Sequence, residues 1–177
     1  MVKLEIERES KGKNKRKNQN RSFNIATTGI LAGVYAVATI ALGTLSYGPL
    51  NLRFTNILIG VVPIVGWPSV LGITLGVFLS NTVSSLGPID LISPIFSFIG
   101  LYSIYLLRKK SLIAGLAIYS LILSIWVTFE LHVVLGLPYS GVFAVLGGIS
   151  VVLVLAYILY RALKASNLLR RFDALNA

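Results

Sequence analysis

Few residues of this chain could bind or transform a small molecule, and most of them lie within residues 46–90. Arg53, Asn56, Asn81 and Asp90 fall in this segment, and the last three stand in apolar surroundings. A guanidinium offers five donors in a planar fork, which suits a carboxylate, a carbonyl or the edge of a heterocycle. Asn56 follows Arg53 by three positions and therefore shares its helix face. We interpret the segment as the centre of a small-molecule pocket.

These polar residues also have structural interpretations. Arg53 could extend to lipid phosphates, and Asp90 could cap the helix that it opens. Alternatively, Asp90 pairs with Arg53, which would close the pocket or bind a ligand amine. A carboxylate in a membrane helix usually faces an interior, which favours Glu130 as a contact. Three aromatic residues, Trp126, Tyr47 and Tyr139, could stack on a flat ligand or sit at the membrane interface. The predicted substrate-binding residues are Arg53, Asn56, Asn81, Asp90, Glu130, Trp126 and Tyr47.

The sequence contains no pattern typical of catalysis. There is no P-loop, so the chain is not expected to hydrolyse nucleotide itself. One histidine and no cysteine make a poor zinc ligand set. We therefore expect no enzyme activity, no metal and no cofactor in this chain, and no nucleic-acid partner.

Composition places the chain in a lipid bilayer. Of its 177 residues, 55% are hydrophobic and 12% are charged. A soluble domain carries about 25% charged residues. So few charges cannot cover a surface that faces water, and we predict an integral membrane protein with membrane lipid around it.

The apolar runs predict an all-α bundle of six transmembrane helices. Gly66-Trp67-Pro68 separates the second run from the third, because proline forbids a continuous helix there. Pro63 predicts a kink or partial unwinding in the second helix, and interrupted membrane helices often line a binding cavity. The predicted helices span residues 24–45, 54–67, 69–86, 89–107, 111–136 and 139–163.

The basic residues predict the topology. Fifteen of the sixteen lysines and arginines lie in the N-terminal tail, in residues 108–110 or near the C-terminus. With six helices, all fifteen fall on one side of the membrane, and the positive-inside bias makes that side cytoplasmic. We therefore predict a disordered basic cytoplasmic tail over residues 1–22, a transmembrane domain over 23–165 and a short cytoplasmic tail over 166–177.

Small residues recur on the first and third helices. Such stripes let a second helix approach closely in lipid. On the third helix, Gly72, Gly76 and Ser80 predict internal packing. On the first helix, internal packing and a docking face for a partner subunit are both open. The predicted docking residues are Ala26, Gly29, Ala32, Gly33 and Ala36.

The polar segment resembles the QueT family, which comprises substrate-binding membrane subunits (S components) of energy-coupling-factor transporters. The family pattern has an arginine five residues after a glycine, then a glycine-rich run ending in asparagine, then glycine and aspartate before the fourth helix. Here it reads as GPLNLRFTNIL from Gly48, as residues 72–81 and as residues 87–90. The chain departs from the pattern at Asn56, where the family has a carboxylate, and Glu130 is a candidate to compensate.

The resemblance implies a subunit in the cell membrane of a prokaryote that captures queuine or another 7-deazaguanine outside the cell. A separate membrane coupling subunit and two ATPase subunits would use ATP to drive uptake, with the first helix docking on the coupling subunit. Three alternatives remain. The chain could be an S component for another small molecule such as a vitamin, a structural or assembly protein without a ligand, or a lone channel or facilitator.

Overall fold

The computed structural model describes residues 2–43 and 53–166, with side chains from residue 18 onward. Tyr47, a predicted substrate contact, lies outside these residues. Six helices and no strand are present in the described part of the chain. They are α1 (Val2–Ala41); α2, a 3-10 helix (Phe54–Val61) that continues as an α-helix (Val62–Val65); α3 (Trp67–Asn81); α4 (Ser93–Leu107), led by a 3-10 turn (Pro88–Ile92); α5 (Leu112–Leu135); and α6 (Val142–Ala165), led by a 3-10 turn (Tyr139–Gly141).

The first helix is longer than predicted. Residues 1–22 were expected to be disordered, whereas α1 begins at Val2 in the structure. The straight-chain lysine, arginine, glutamate and glutamine residues of this segment have good helix propensity. The first helix thus continues through the segment that was predicted to be a tail, and the cytoplasmic position of that segment stays a prediction.

Within residues 2–43 and 53–166, four helices are long and apolar enough to cross a membrane: Asn18–Ala41, Pro88–Leu107, Leu112–Leu135 and Tyr139–Ala165. The other two apolar helices, Phe54–Val65 and Trp67–Asn81, are shorter. At about 1.5 Å per residue, the 15 residues of α3 extend only about 22 Å, against about 30 Å of hydrocarbon. The predicted six-helix count is therefore confirmed, but α2 and α3 are too short to span the bilayer alone.

The break between α2 and α3 lies where the sequence predicted it. Gly66 ends α2 and starts α3 with φ of 79°, a backbone conformation that residues with a side chain rarely adopt. Pro68 follows in the first turn of α3, where its missing N–H costs no hydrogen bond. The predicted distortion of α2 takes the form of the 3-10 turns before Val62. Such turns are common where a helix is interrupted.

The helices pack around the bundle in the order α1, α3, α4, α5, α6 and α2, and α2 also contacts α1. Glycines on α3 allow α1 and α3 to pack closely together. A Cβ added to Gly72 would lie 2.8 Å from the Thr28 carbonyl oxygen, and one added to Gly76 would lie 2.7 Å from Tyr35 Cβ. Ser80 is fully buried. The predicted internal packing of the third-helix stripe is thus confirmed.

The small residues of α1 divide between two faces. Ala32 and Ala36 are each only 6% exposed, and the Ala32 carbonyl oxygen faces Gly76 of α3. The protein's own bundle therefore buries both alanines, and their role in docking a partner stays a prediction. Ala26, Gly29 and Gly33 are exposed. The buried and the exposed small residues lie within a few positions of one another on the same helix. The sequence alone therefore could not show which of them the bundle buries.

Candidate functional site

The predicted polar residues gather at one end of the bundle. Arg53 precedes α2, Asn81 ends α3, Asp90 lies in the turn before α4, and Glu130 is near the end of α5. Residues 108–110 lie at the opposite end of α4, in the link to α5. The up-and-down connections therefore bring four separate segments together and keep that basic loop away from them.

Asp90 is the centre of this cluster and is fully buried. The Asn81 amide donates to its carbonyl oxygen at 2.8 Å and to its Oδ1 at 2.7 Å. Arg53 Nη2 donates to Oδ2 at 3.3 Å and to Oδ1 at 3.5 Å. The predicted Arg53–Asp90 ion pair is therefore present. Asp90 is not a helix cap, because Gly87 occupies the capping position of its 3-10 turn.

Ser93 connects Asp90 to α5. Its hydroxyl oxygen lies 2.7 Å from Asp90 Oδ1 and 2.8 Å from Glu130 Oε1. Trp126 Nε1 donates to the same hydroxyl at 2.7 Å. Glu130 is fully buried, and Trp126 is 9% exposed. Both predicted α5 residues thus join the polar network through a serine.

The indole of Trp126 lies inside the bundle and not at the membrane interface. It stacks on Phe96 of α4, with ring centroids 4.1 Å apart and planes inclined by 15°. The interior position agrees with a role in the site rather than in an interfacial belt. Phe96 thus covers one face of the indole, and the Phe129 ring also lies close to it, with centroids 5.6 Å apart.

Asn56 belongs to a second polar contact, between α1 and α2. The Tyr35 hydroxyl donates to Asn56 Oδ1 at 2.7 Å, and both side chains are buried. One turn along α1, the hydroxyls of Thr39 and Thr55 lie 2.8 Å apart. The side chain of Asn56 is therefore oriented by α1 and not by the Asp90 cluster.

Sequence reasoning missed Ser93 and Tyr35. Ser93 had a detectable signal, because it follows Asp90 by three positions and shares its helix face. Tyr35 had a weaker one. A buried tyrosine usually needs a partner for its hydroxyl, but nothing in the sequence shows that Tyr35 is buried.

The network contains three buried charged or ionisable groups, on Arg53, Asp90 and Glu130. The described part of the chain has no group of three His, Cys, Asp or Glu residues that could hold a metal ion. Donors and acceptors are both present within a few ångströms. Such an arrangement can bind a planar polar molecule by its edge.

A comparison with known protein families shows to which family the chain belongs. The description "QueT transporter" belongs to a family profile that matches residues 25–165, most of the chain. The chain belongs to the QueT transporter family. QueT proteins are S components of energy-coupling-factor transporters, so the predicted resemblance is confirmed. No curated protein and no solved structure matches this QueT chain.

The match to the QueT family includes the residues of the Asp90 cluster. The family is one of membrane transport proteins, which agrees with the apolar helices of the bundle. The matched region begins within α1, at residue 25, and ends at the last residue of α6, so it includes α2 to α6 and the apolar part of α1. The polar cluster lies wholly within the matched region.

Proposed function

We propose that this QueT protein captures a 7-deazaguanine, such as queuine or one of its precursors, for an ATP-driven importer. The ligand would enter at the end of the bundle that carries Asp90, which the charge distribution predicts to face outward. Both termini would then lie in the cytoplasm of a prokaryotic cell. No cofactor is expected in this chain, because the ATPase partners would use the ATP.

The observation that carries this proposal is the buried network of Arg53, Asp90, Asn81, Ser93 and Glu130. Burying charged groups is costly, and apolar residues of similar volume often stabilise a core as well or better. A network of five polar side chains at one end therefore favours binding over a purely structural role. A deazaguanine edge carries a carbonyl beside N–H groups, and a guanidinium beside carboxyl groups complements that pattern.

Asn56 supports a second candidate, an S component for another small molecule such as a vitamin. Its Oδ1 accepts a hydrogen bond from Tyr35. An amide also lacks the charge of the carboxylate expected there. We expect this difference from the family pattern to affect which ligand is bound more than whether one is bound, since Glu130 supplies a carboxyl group in the polar cluster.

Thermal unfolding of the purified protein in detergent tests the ligand class. The compounds are queuine, its two deazaguanine precursors, guanine and a panel of vitamins. A ligand at about 100 times its dissociation constant adds about 2.7 kcal/mol to the unfolding free energy. We expect a deazaguanine to stabilise the protein and guanine not to. Stabilisation by a vitamin would select the second candidate, and no shift with any compound would favour a structural or assembly protein.

Arg53→Lys tests whether the predicted pocket is the binding site. Lysine keeps the positive charge beside Asp90 but loses the planar fork, so we expect weaker binding with little change in stability without ligand. Arg108→Lys is the matched control. It makes the same change just after α4, at the end of the bundle opposite to Arg53. Equal affinity of the two variants would contradict the pocket assignment.

We further propose that the exposed small residues of α1 contact the coupling subunit. Ala26, Gly29 and Gly33 form the exposed set, and a Cβ added to either glycine would meet no atom within 4 Å. Gly33→Leu should leave the isolated protein stable and reduce co-purification with the coupling subunit and ATPases. Uptake that continued without those subunits and ATP would instead indicate a lone channel or facilitator.

A further inference from the structure

The Ser93 hydroxyl has more acceptor neighbours than it has protons. It lies 2.7 Å from Asp90 Oδ1 and 2.8 Å from Glu130 Oε1, and it accepts from Trp126 Nε1 at 2.7 Å. A serine hydroxyl has one proton to donate and two lone pairs that accept. It can therefore donate to only one of the two carboxyl groups. The other short contact requires a proton on the carboxyl group itself.

The surroundings indicate which carboxyl group carries that proton. Asp90 accepts from Asn81 and from Arg53, and it forms an ion pair with the guanidinium. Glu130 receives no hydrogen bond from these two donors. Asp90 is thus the carboxylate that accepts the Ser93 proton. Glu130 is the acid that donates to Ser93.

The other carboxyl oxygen of Glu130, Oε2, takes no part in the contact with Ser93. Oε2 is buried and has no hydrogen-bond partner among the described residues. In a carboxylic acid protonated on Oε1, Oε2 is a carbonyl oxygen and can only accept. Buried acceptors are nearly always satisfied in native proteins, by protein atoms, water or a ligand.

We propose that Glu130 is a neutral carboxylic acid that donates from Oε1 to Ser93 and presents Oε2 as the acceptor for a ligand N–H. The ligand role rests on the function proposed above, whereas the protonation rests on the hydrogen-bond count alone. The other charged groups near Glu130 are Asp90 before α4 and Arg53 before α2, and their charges cancel. On its own helix, His132 contacts the Leu137 carbonyl oxygen and stacks on Tyr139. The buried cluster is therefore neutral overall and suits a neutral ligand.

Infrared spectroscopy of the purified protein without ligand tests the protonation. Apart from Asp90, the other acidic side chains lie in the two terminal segments, at Glu5, Glu7, Glu9 and Asp173. At neutral pH these four are expected to be ionised. We expect one carbonyl band of a protonated carboxyl group, absent from Glu130→Gln. Glutamine can keep the same contacts, because its amide donates to Ser93 and its oxygen accepts. Its unfolding midpoint should therefore stay near that of the parent protein.

The absence of that band, or its persistence in Glu130→Gln, would overturn the assignment of the proton. Binding of queuine tests the acceptor. Glu130→Leu should bind about tenfold more weakly than Glu130→Gln, the effect of losing one hydrogen bond. Equal affinities would overturn the ligand role. If queuine did not bind the parent protein, the proposed function and the ligand role would fail together, whereas the infrared result would still decide the protonation.

Discussion

The Tyr35 hydroxyl donates a 2.7 Å hydrogen bond to Oδ1 of Asn56, which ties α1 to α2. Tyr35 Cβ also lies where a side chain on Gly76 of α3 would project. One buried tyrosine therefore contacts both short helices. The packing of α1 and the shape of the predicted pocket are linked through it.

Tyr35→Phe removes the hydroxyl and leaves Asn56 Oδ1 buried without its donor. The expected cost is about 1–3 kcal/mol of unfolding free energy, together with weaker ligand binding, because Asn56 loses its fixed orientation. Thermal unfolding and ligand titration in detergent measure the two effects. Tyr102→Phe is the control, since Tyr102 is 39% exposed. Equal stability of the two variants would contradict the role of the hydrogen bond.

Gly76→Ala should destabilise the contact between α1 and α3. The added Cβ would lie 2.7 Å from Tyr35 Cβ and 3.0 Å from the Ala32 carbonyl oxygen. Overpacking of this kind costs about 1–3 kcal/mol. Gly33→Ala is the matched control on the open face of α1. It should be neutral or stabilise the helix by about 0.5–1 kcal/mol. Unfolding midpoints compare the pair, and a Gly76→Ala protein as stable as Gly33→Ala would contradict the packing described here.

The Arg53–Asp90 pair should show strong coupling in a double-mutant cycle. Arg53→Met or Asp90→Leu alone leaves a buried charge without its partner, which costs about 3–5 kcal/mol. The double variant leaves no unpaired charge, so its loss should be smaller than the sum of the single losses. Denaturant or thermal unfolding supplies the four free energies. Additive losses would indicate that the two side chains act independently.

The same double variant separates stability from binding. If the pair binds ligand, the double variant should recover much of the stability and still fail to bind. A stable double variant that bound ligand as tightly as the parent would assign the pair a structural role only.

The predicted orientation is accessible to cysteine labelling, because the chain has no cysteine of its own. Ser140→Cys lies between α5 and α6 at the Asp90 end, and Lys109→Cys lies between α4 and α5 at the basic end. A membrane-impermeant maleimide added to intact cells should label Ser140→Cys. Lys109→Cys should react only after the membrane is opened. The reverse pattern would place the polar cluster in the cytoplasm.

The sequence identified most of the polar residues that meet in the structure. Arg53, Asn81, Asp90 and Glu130 were recognisable because strongly polar groups are rare and costly in apolar segments. Their alternative interpretations could not be separated by sequence, since a cap, a lipid contact and an ion pair require the same residue types. The position of Asp90 beside Arg53 and Asn81 settled that question for Asp90.

The sequence by itself determined the helical class, the number of helices and the break at Gly66, because hydropathy, helix period and proline act locally along the chain. Only the tertiary structure decided that Ala32 and Ala36 are buried in the bundle while Gly29 and Gly33 are exposed. It also decided that Ser93 joins two carboxyl groups and that Tyr35 holds Asn56. These outcomes depend on the rotation and neighbours of each helix, which are set by packing between segments distant in sequence.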